Sequence, residues 1–227
     1  DLFDYFTQKK IITIIKNQLE LEKPIMLIDV GAHKGEYVLS IKKNFLIKKI
    51  FAFEPNIDTY KILKRNICKD KNIFTFNYGI SDKDGKISFN KNMESSSSSI
   101  NDLNKDSKYF KKKYFFLNFF GSSKVTTKID IEVLRLESFL LEKKINYIDL
   151  LKIDTEGYEY QVLNSLGGQI NKIKLIHFEH HYDDMIIKDY KFNDISDLLK
   201  KNGFIQIYKI KMNFRKSFEY IYKNKNF

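Results

Sequence analysis

Six short apolar runs, most of them followed by a segment of helical spacing, constrain this chain more than any other feature. They lie at residues 25–30 (IMLIDV), 49–53 (KIFAF), 73–77, 128–133, 147–153 (YIDLLKI) and 174–178. Helical patterns fall at 36–46, 59–67, 136–143, 158–166 and 195–201, with Asp58 placed to cap the second and Gly167 and Gly168 to close the fourth. Strand and helix in turn, with compact connections, predict an α/β fold whose parallel sheet is wound with helices. Two β-rich runs, 204–212 and 218–222, follow with no helix between them. They must pair antiparallel, because parallel neighbours need a crossover of a dozen residues or more. A further helix is expected over 3–19. Residues 90–123, with a serine run (95–99) and the stretch KYFKKKYFFLNFF, show no period and are expected as an insertion or flap. No repeat or linker divides the rest, so a single domain is expected over 1–227.

Composition narrows the class. Of 227 residues, 43% are hydrophobic and 15% aromatic, ample for a packed core. One cysteine, Cys68, excludes a disulfide framework or a multi-cysteine metal site and suits a reducing compartment. No apolar run approaches the ~20 residues that span a bilayer, and the lysine-bearing N-terminal stretch does not read as a signal peptide. A soluble cytoplasmic protein is expected. The net charge of +11 comes almost wholly from lysine, with Arg65, Arg135 and Arg215 the only arginines. Nucleic-acid readout favours arginine's planar fork, so the charge is weak evidence for such a partner and remains compatible with an anionic small acceptor.

The chemistry gathers at predicted strand ends. Asp29 closes the first strand and a turn follows, Gly31-Ala32-His33-Lys34-Gly35, which is not the dinucleotide fingerprint because His33 takes the second glycine's place. Glu54, in Phe53-Glu54-Pro55, ends the second strand 23 positions after Gly31, where an acid can accept hydrogen bonds from both ribose hydroxyls. Ser81 and Asp82 follow the third strand and are placed to meet a base or merely to cap a turn. Together these tips fit a nucleoside lying along the carboxyl ends of the strands. Lys152 sits within an apolar strand, costly unless paired, and Asp154, Glu156 and Glu159 crowd the strand end beyond it.

Residues 176–184 (IHFEHHYDD) add a second polar strand end. Alternation sets Glu179 and His181 on one face and His180 on the other. Three readings stand open: histidines satisfied by nearby backbone, a general base (His181 oriented by Glu179, with Asp154 competing), or a metal held by imidazoles with Asp154 and Glu179.

The motifs IDVGAHKGEY (28–37), FAFEPN (51–56), GISDKDG (79–85), the serine run with Ile100, and above all IDLLKIDTEGYEYQVL (148–163) resemble the FkbM-type S-adenosylmethionine-dependent methyltransferases. The resemblance covers residues 25–182. It implies a Rossmann-like class I methyltransferase fold with a mostly parallel seven-stranded sheet, helices on both faces and a C-terminal antiparallel hairpin. It implies S-adenosylmethionine as methyl donor, S-adenosylhomocysteine as product, and a hydroxyl of a sugar, glycan or secondary metabolite as acceptor. By resemblance Asp29, Gly31 and Gly35 line the methionine part, Glu54 holds the ribose and Asp82 lies by the adenine, with His33 and Ser81 counted among the cofactor contacts. Asp154 is placed near the transferred methyl, with Lys152, Glu179 and His181 as catalytic candidates and Glu156, His180 and Ser97 on the acceptor side. Two positions depart from the family pattern: His33 stands where Asn is common, and Leu136-Glu137 where Leu-Asp is usual. An anionic acceptor, nucleotide- or lipid-linked, is suited to Lys111, Lys112 and Lys113 of the flap. The rival readings are a nucleic-acid methyltransferase, which lacks its usual Pro-Pro-aromatic loop here, a nicotinamide-dependent reductase, which has the wrong glycine spacing, and a non-catalytic protein of the same fold.

Overall fold

The computed structural model of the chain describes residues 2–67, 70–91, 100–102, 104, 106–107, 127–212 and 216–227, with backbone alone at 2–5 and 91. Ser97, Cys68, Lys111, Lys112 and Lys113, and most of the expected flap, lie outside the described residues. In order come α1 (Leu2–Lys16), β1 (Ile25–Val30), α2 (Glu36–Asn44), β2 (Ile47–Phe53), α3 (Ile57–Ile67), β3 (Ile73–Phe76), β4 (Gly79–Ile80), β5 (Gly85–Lys91) and β6 (Thr127–Leu134). Then follow α4 (Leu136–Glu142), β7 (Ile148–Ile153), α5 (Glu159–Asn164), a 3-10 segment (Gly167–Lys172), β8 (Ile173–His181), α6 (Phe192–Lys201), β9 (Phe204–Lys211) and β10 (Ser217–Asn224).

Seven strands form the main sheet in the order β3-β2-β1-β7-β8-β10-β9. The first five are parallel, and β10 pairs antiparallel with both β8 and β9, as the missing crossover required. Because parallel central strands are covered on both faces, each reads as an apolar run rather than an alternation. One face packs Leu27, Leu150, Leu175 and Ile221 against Ile11 and Ile15 of α1, Val38 and Ile41 of α2 and Leu63 of α3. The other packs Ile28, Leu151, Ile176 and Tyr222 against Phe139 of α4, Val162 of α5 and Leu199 of α6.

Two expectations are corrected. The run at 128–133 does not join the main sheet. It is the centre of a second sheet, β4-β6-β5, parallel to Gly79–Ile80 and antiparallel to Gly85–Lys91, with Phe89, Ile131 and Val133 as its core. Pairing across the unpatterned insertion closes a long loop that local periodicity does not reveal. Asp58 is not a cap but lies inside α3; the buried Asn56 caps that helix, its Oδ1 accepting the Asp58 N–H at 3.1 Å.

The turn after β1 depends on one glycine. Gly31 has φ +81°, and a Cβ there would lie 1.9 Å from the Asp154 carbonyl oxygen, because β7 runs parallel beside β1 and the Asp154 N–H donates to Val30 O at 2.9 Å. Gly31→Ala is therefore expected to cost at least about 3 kcal/mol through backbone overlap and left-handed strain. Thermal unfolding should show a loss of roughly 6–12 °C, against little change for Gly168→Ala, where no atom lies within 4 Å of an added Cβ.

Candidate functional site

Register turns the same sheet face from apolar to polar at its carboxyl edge. Asp29 of β1 pairs with Lys152 of β7, which pairs with His177 of β8; two residues on, Glu179 of β8 faces Glu219 of β10. Residues in register share a face. These five side chains therefore form a polar continuation of the apolar row Leu27, Leu150 and Leu175. They are all buried, and they floor a cavity of about 510 Å3. Its volume is in the range of small-molecule sites. Tyr78, Phe89 and Ile100 also line it, as do Thr7, Gln8, Ile11 and Ile12 of α1.

Lys152 is the hub of the floor. Its Nζ lies 3.3 Å from Asp154 Oδ2 and 3.7 Å from Glu219 Oε2, and over the ring of Tyr37. Burial alone would lower its pKa, but Asp154 and Glu219 hold it above the ordinary lysine range. Glu219 is correspondingly held well below the carboxylate range, burial being outweighed by Lys152 and His177. The His177 pKa is also lowered, burial favouring its neutral form. Its Nδ1 lies 3.0 Å from the Tyr37 hydroxyl, and its Nε2 lies 2.9 Å from Glu219 Oε2, close but out of line for a hydrogen bond. Tyr37, His177 and Glu219 are the members to which sequence reasoning gave no role. For Glu219 the signal was present: alternation sets an acid on the same face as the core residue Ile221.

At the β1 and β2 tips, Glu54 accepts the His33 N–H at 3.0 Å and the Asn56 N–H at 2.9 Å. Burial nevertheless pushes its carboxyl up to about 7, and the same cause lifts Asp29 to about 7 against the pull of Lys152. Glu179 also rises to about 7, through burial and then through the neighbouring Glu219 and Asp154. Asp29, Glu36, Glu54, Asp154, Glu156, Glu179 and Glu219 all line the cavity, and among the described residues Lys152 is the one lysine or arginine that does. Asp29 Oδ2, Glu179 Oε1 and Thr155 Oγ1 are buried without a hydrogen bond among the described residues. Buried polar atoms are normally paired, so this wall is built for a ligand that supplies donors.

The other expected residues separate. His33 and Gly31 line the cavity; Gly35 does not, and a Cβ on it would meet Ile67 and Leu63 of α3, so it serves helix packing. Ser81 and Asp82 stand behind the wall, Ser81 bonded to the Tyr158 hydroxyl at 3.0 Å. His181 is not a lining residue. Its Nε2 lies 3.2 Å from Glu156 and 3.5 Å from Glu179, its Nδ1 3.6 Å from Asp183, and although burial opposes charge, these carboxylates raise its pKa well above the usual value. His180 points to the opposite face, against Glu159, Tyr182 and Phe192. Glu156 lines the cavity at φ +49°. No group of three or more His, Cys, Asp or Glu is arranged to hold a metal ion among the described residues. None of their helices is long and apolar enough to cross a membrane.

The floor makes a stability prediction. Lys152→Met leaves Glu219 buried beside Asp154 and Glu179 without a counter-charge, at a cost of about 3–5 kcal/mol. Denaturant unfolding should register this, and adding Glu219→Gln should restore part of the loss; additive effects of the two changes would contradict the pairing.

With this geometry in place, comparison with known proteins identifies the setting. A family model described as the methyltransferase FkbM domain matches residues 29–205. The hexuronic acid methyltransferase AglP of Haloferax volcanii is 26% identical over 167 residues, 71% of this chain and 58% of that protein. The 2-O-methyltransferase NoeI of Sinorhizobium fredii is 24% identical over 183 residues, 79% of this chain and 73% of that one. The chain thus spans less than two thirds of the length of the first of these relatives. The crystal structure of a methyltransferase FkbM from Methylobacillus flagellatus superposes with a TM-score of 0.54 at 12% identity, over 91% of this chain and 46% of that one, a likeness of fold.

Proposed function

The chain belongs to the FkbM methyltransferase family, and from that premise we propose that it transfers a methyl group from S-adenosylmethionine to a hydroxyl of a sugar. One observation carries the reading: a single cavity at the carboxyl ends of β1, β2, β7 and β8 joins a buried ribose-type acid, Glu54, to a donor-seeking polar floor. Similarity to proteins named as a hexuronic acid methyltransferase and a 2-O-methyltransferase supports the sugar hydroxyl. The cytoplasm, where S-adenosylmethionine is made, is the proposed place of reaction.

When bound, S-adenosylmethionine supplies a methyl group on a positively charged sulfur and departs as S-adenosylhomocysteine. Glu54 would hold the ribose hydroxyls, and Asp29, Gly31 and His33 the amino-acid end. Asp154 would lie by the transferred methyl, its charge held in place by Lys152. As the acceptor oxygen forms its bond to carbon and the carbon–sulfur bond breaks, the hydroxyl proton must go to a base. We assign that role to Glu179, which lines the cavity with its pKa raised to about 7, rather than to His181, which does not line it and whose carboxylate neighbours raise its pKa well above the usual value. His181 then acts through Glu179, as the cation beside it.

The test is transfer of labelled methyl from S-adenosylmethionine to candidate sugars, read by mass spectrometry. The rate should rise with pH through about 7 and level off as Glu179 ionises. Glu179→Gln should lower kcat by about 10²–10⁴-fold and abolish that acidic limb. An unchanged limb in Glu179→Gln moves the base elsewhere.

A further inference from the structure

The cavity floor holds a second buried acid to which the methyl-transfer steps give no part. β10 runs antiparallel to β8, and in that ladder Glu219 stands directly opposite Glu179. Side chains so placed share a face with their Cβ atoms roughly 4.5–5.5 Å apart, and like charges there repel. Both side chains are buried and both line the cavity. Two carboxyls that share one buried site do not ionise alike, and their neighbours decide which of them keeps the charge. Glu219 lies beyond residues 29–205, the stretch matched by the family model, so that match gives it no role.

The neighbours differ across that rung. Glu219 Oε2 lies 3.7 Å from Lys152 Nζ of β7 and 2.9 Å from His177 Nε2 of β8. Burial of Glu219 is outweighed by Lys152, His177 and His181, which favour its anion. The Tyr37 hydroxyl of α2, buried beside them, is pushed far above its usual range and stays neutral. Glu179 Oε1 has no hydrogen bond among the described residues, and His181 Nε2 lies 3.5 Å from it. That imidazole is shared with Glu156 at 3.2 Å and Asp183 at 3.6 Å. Three acids, Glu219, Asp154 and Glu156, and two cations, His181 and Lys152, thus act on Glu179. After burial, Glu219 is the strongest influence raising the Glu179 pKa, ahead of Asp154 and Glu156.

We propose that Glu219 is a positioning residue for proton transfer: anchored as an anion by Lys152 and His177, it faces Glu179 across the ladder and keeps that carboxyl ready to take the acceptor's proton. This rests on the methyl-transfer reading above and deepens its assignment of Glu179. The acceptor O–H bond breaks and its proton goes to a Glu179 oxygen. The acceptor oxygen bonds the methyl carbon, and the carbon–sulfur electron pair leaves with sulfur. Glu219 takes no proton, because Lys152 and His177 hold its charge.

The test follows the glutamate carboxyl carbons of the full, isotope-labelled chain by NMR from roughly pH 4 to 9. Glu179→Gln and Glu219→Asp assign the two resonances by deleting one each. Glu179 should titrate near 7 while Glu219 stays ionised throughout. Glu219→Gln should move the Glu179 titration down by about one unit or more, whereas Glu219→Asp, which keeps the charge, should leave it near its place. The acidic limb of the methyl-transfer rate should move with it; a merely structural role would lower the rate at every pH and leave the limb unmoved. Glu219 titrating in place of Glu179, a Glu179 titration unmoved by Glu219→Gln, or one that falls as far in Glu219→Asp overturns the inference. If Glu219→Gln does not fold, the two wild-type resonances decide: Glu179 near 7 beside an ionised Glu219 upholds it, and any other order overturns it. The expected titration order in a protein that transfers no methyl counts against the methyl-transfer reading. Methyl transfer with a limb unmoved by Glu219→Gln counts against this inference alone.

Discussion

A lysine buried in the middle of a parallel sheet is the constraint on which the rest of this structure depends. An ammonium group at that depth is tolerated only with counter-charges in contact. Lys152 finds them on two elements, Asp154 at its own strand end and Glu219 on the antiparallel β10. That requirement reaches outward. The β10–β8 ladder sets Glu219 beside His177, and His177 in turn meets the Tyr37 hydroxyl of α2. A single buried charge thus ties four elements to one edge of the sheet. The cluster is also where the molecule spends stability on a polar interior, a pattern expected of functional sites.

The fold explains why buried polarity gathers at that edge of the strands. Through their middle residues (27–28, 150–151 and 175–176) strands β1, β7 and β8 are apolar on both faces, because helices cover both faces. Ligands of open α/β sheets bind in the crevice outside the carboxyl ends of the strands. Here the Gly31 turn lets the Asp154 backbone come within contact of β1, so that the two strand tips share one cavity. The same crowding of acids shifts their chemistry. Asp29, Glu54 and Glu179 are each lifted to about 7 by burial, Glu179 further by its acidic neighbours. A cationic cofactor and a hydrogen-donating acceptor are the complements such a wall calls for.

Much of this was legible in the sequence, for identifiable reasons. The alternation of apolar runs and helical spacing is set by neighbours within a few residues, so the strands, the helices and the terminal hairpin follow from local pattern. Glu54, Asp29 and Asp154 were found because strand ends are marked by a glycine or proline one to three residues after an acid. What escaped depends on distant partners. The second sheet forms by pairing β6 with strands on the far side of the insertion, and no residue near 128–133 signals which sheet it joins. The lining of the cavity by α1 has no local signature at all. His181 looked like a free base because one cannot see in a sequence that Glu156, Glu179 and Asp183 converge on it. For Glu219 alternation marks the inward face, but its partners lie 67 and 42 positions back along the chain.

The central claim is that the acid-rimmed cavity at the strand tips is the cofactor site, and calorimetric titration with S-adenosylhomocysteine tests it most directly. The account predicts one saturable site per chain, competed by S-adenosylmethionine and not by NAD, and weakened at least tenfold by Glu54→Ala without loss of the folded state. No saturable binding, or binding indifferent to Glu54→Ala, would contradict it.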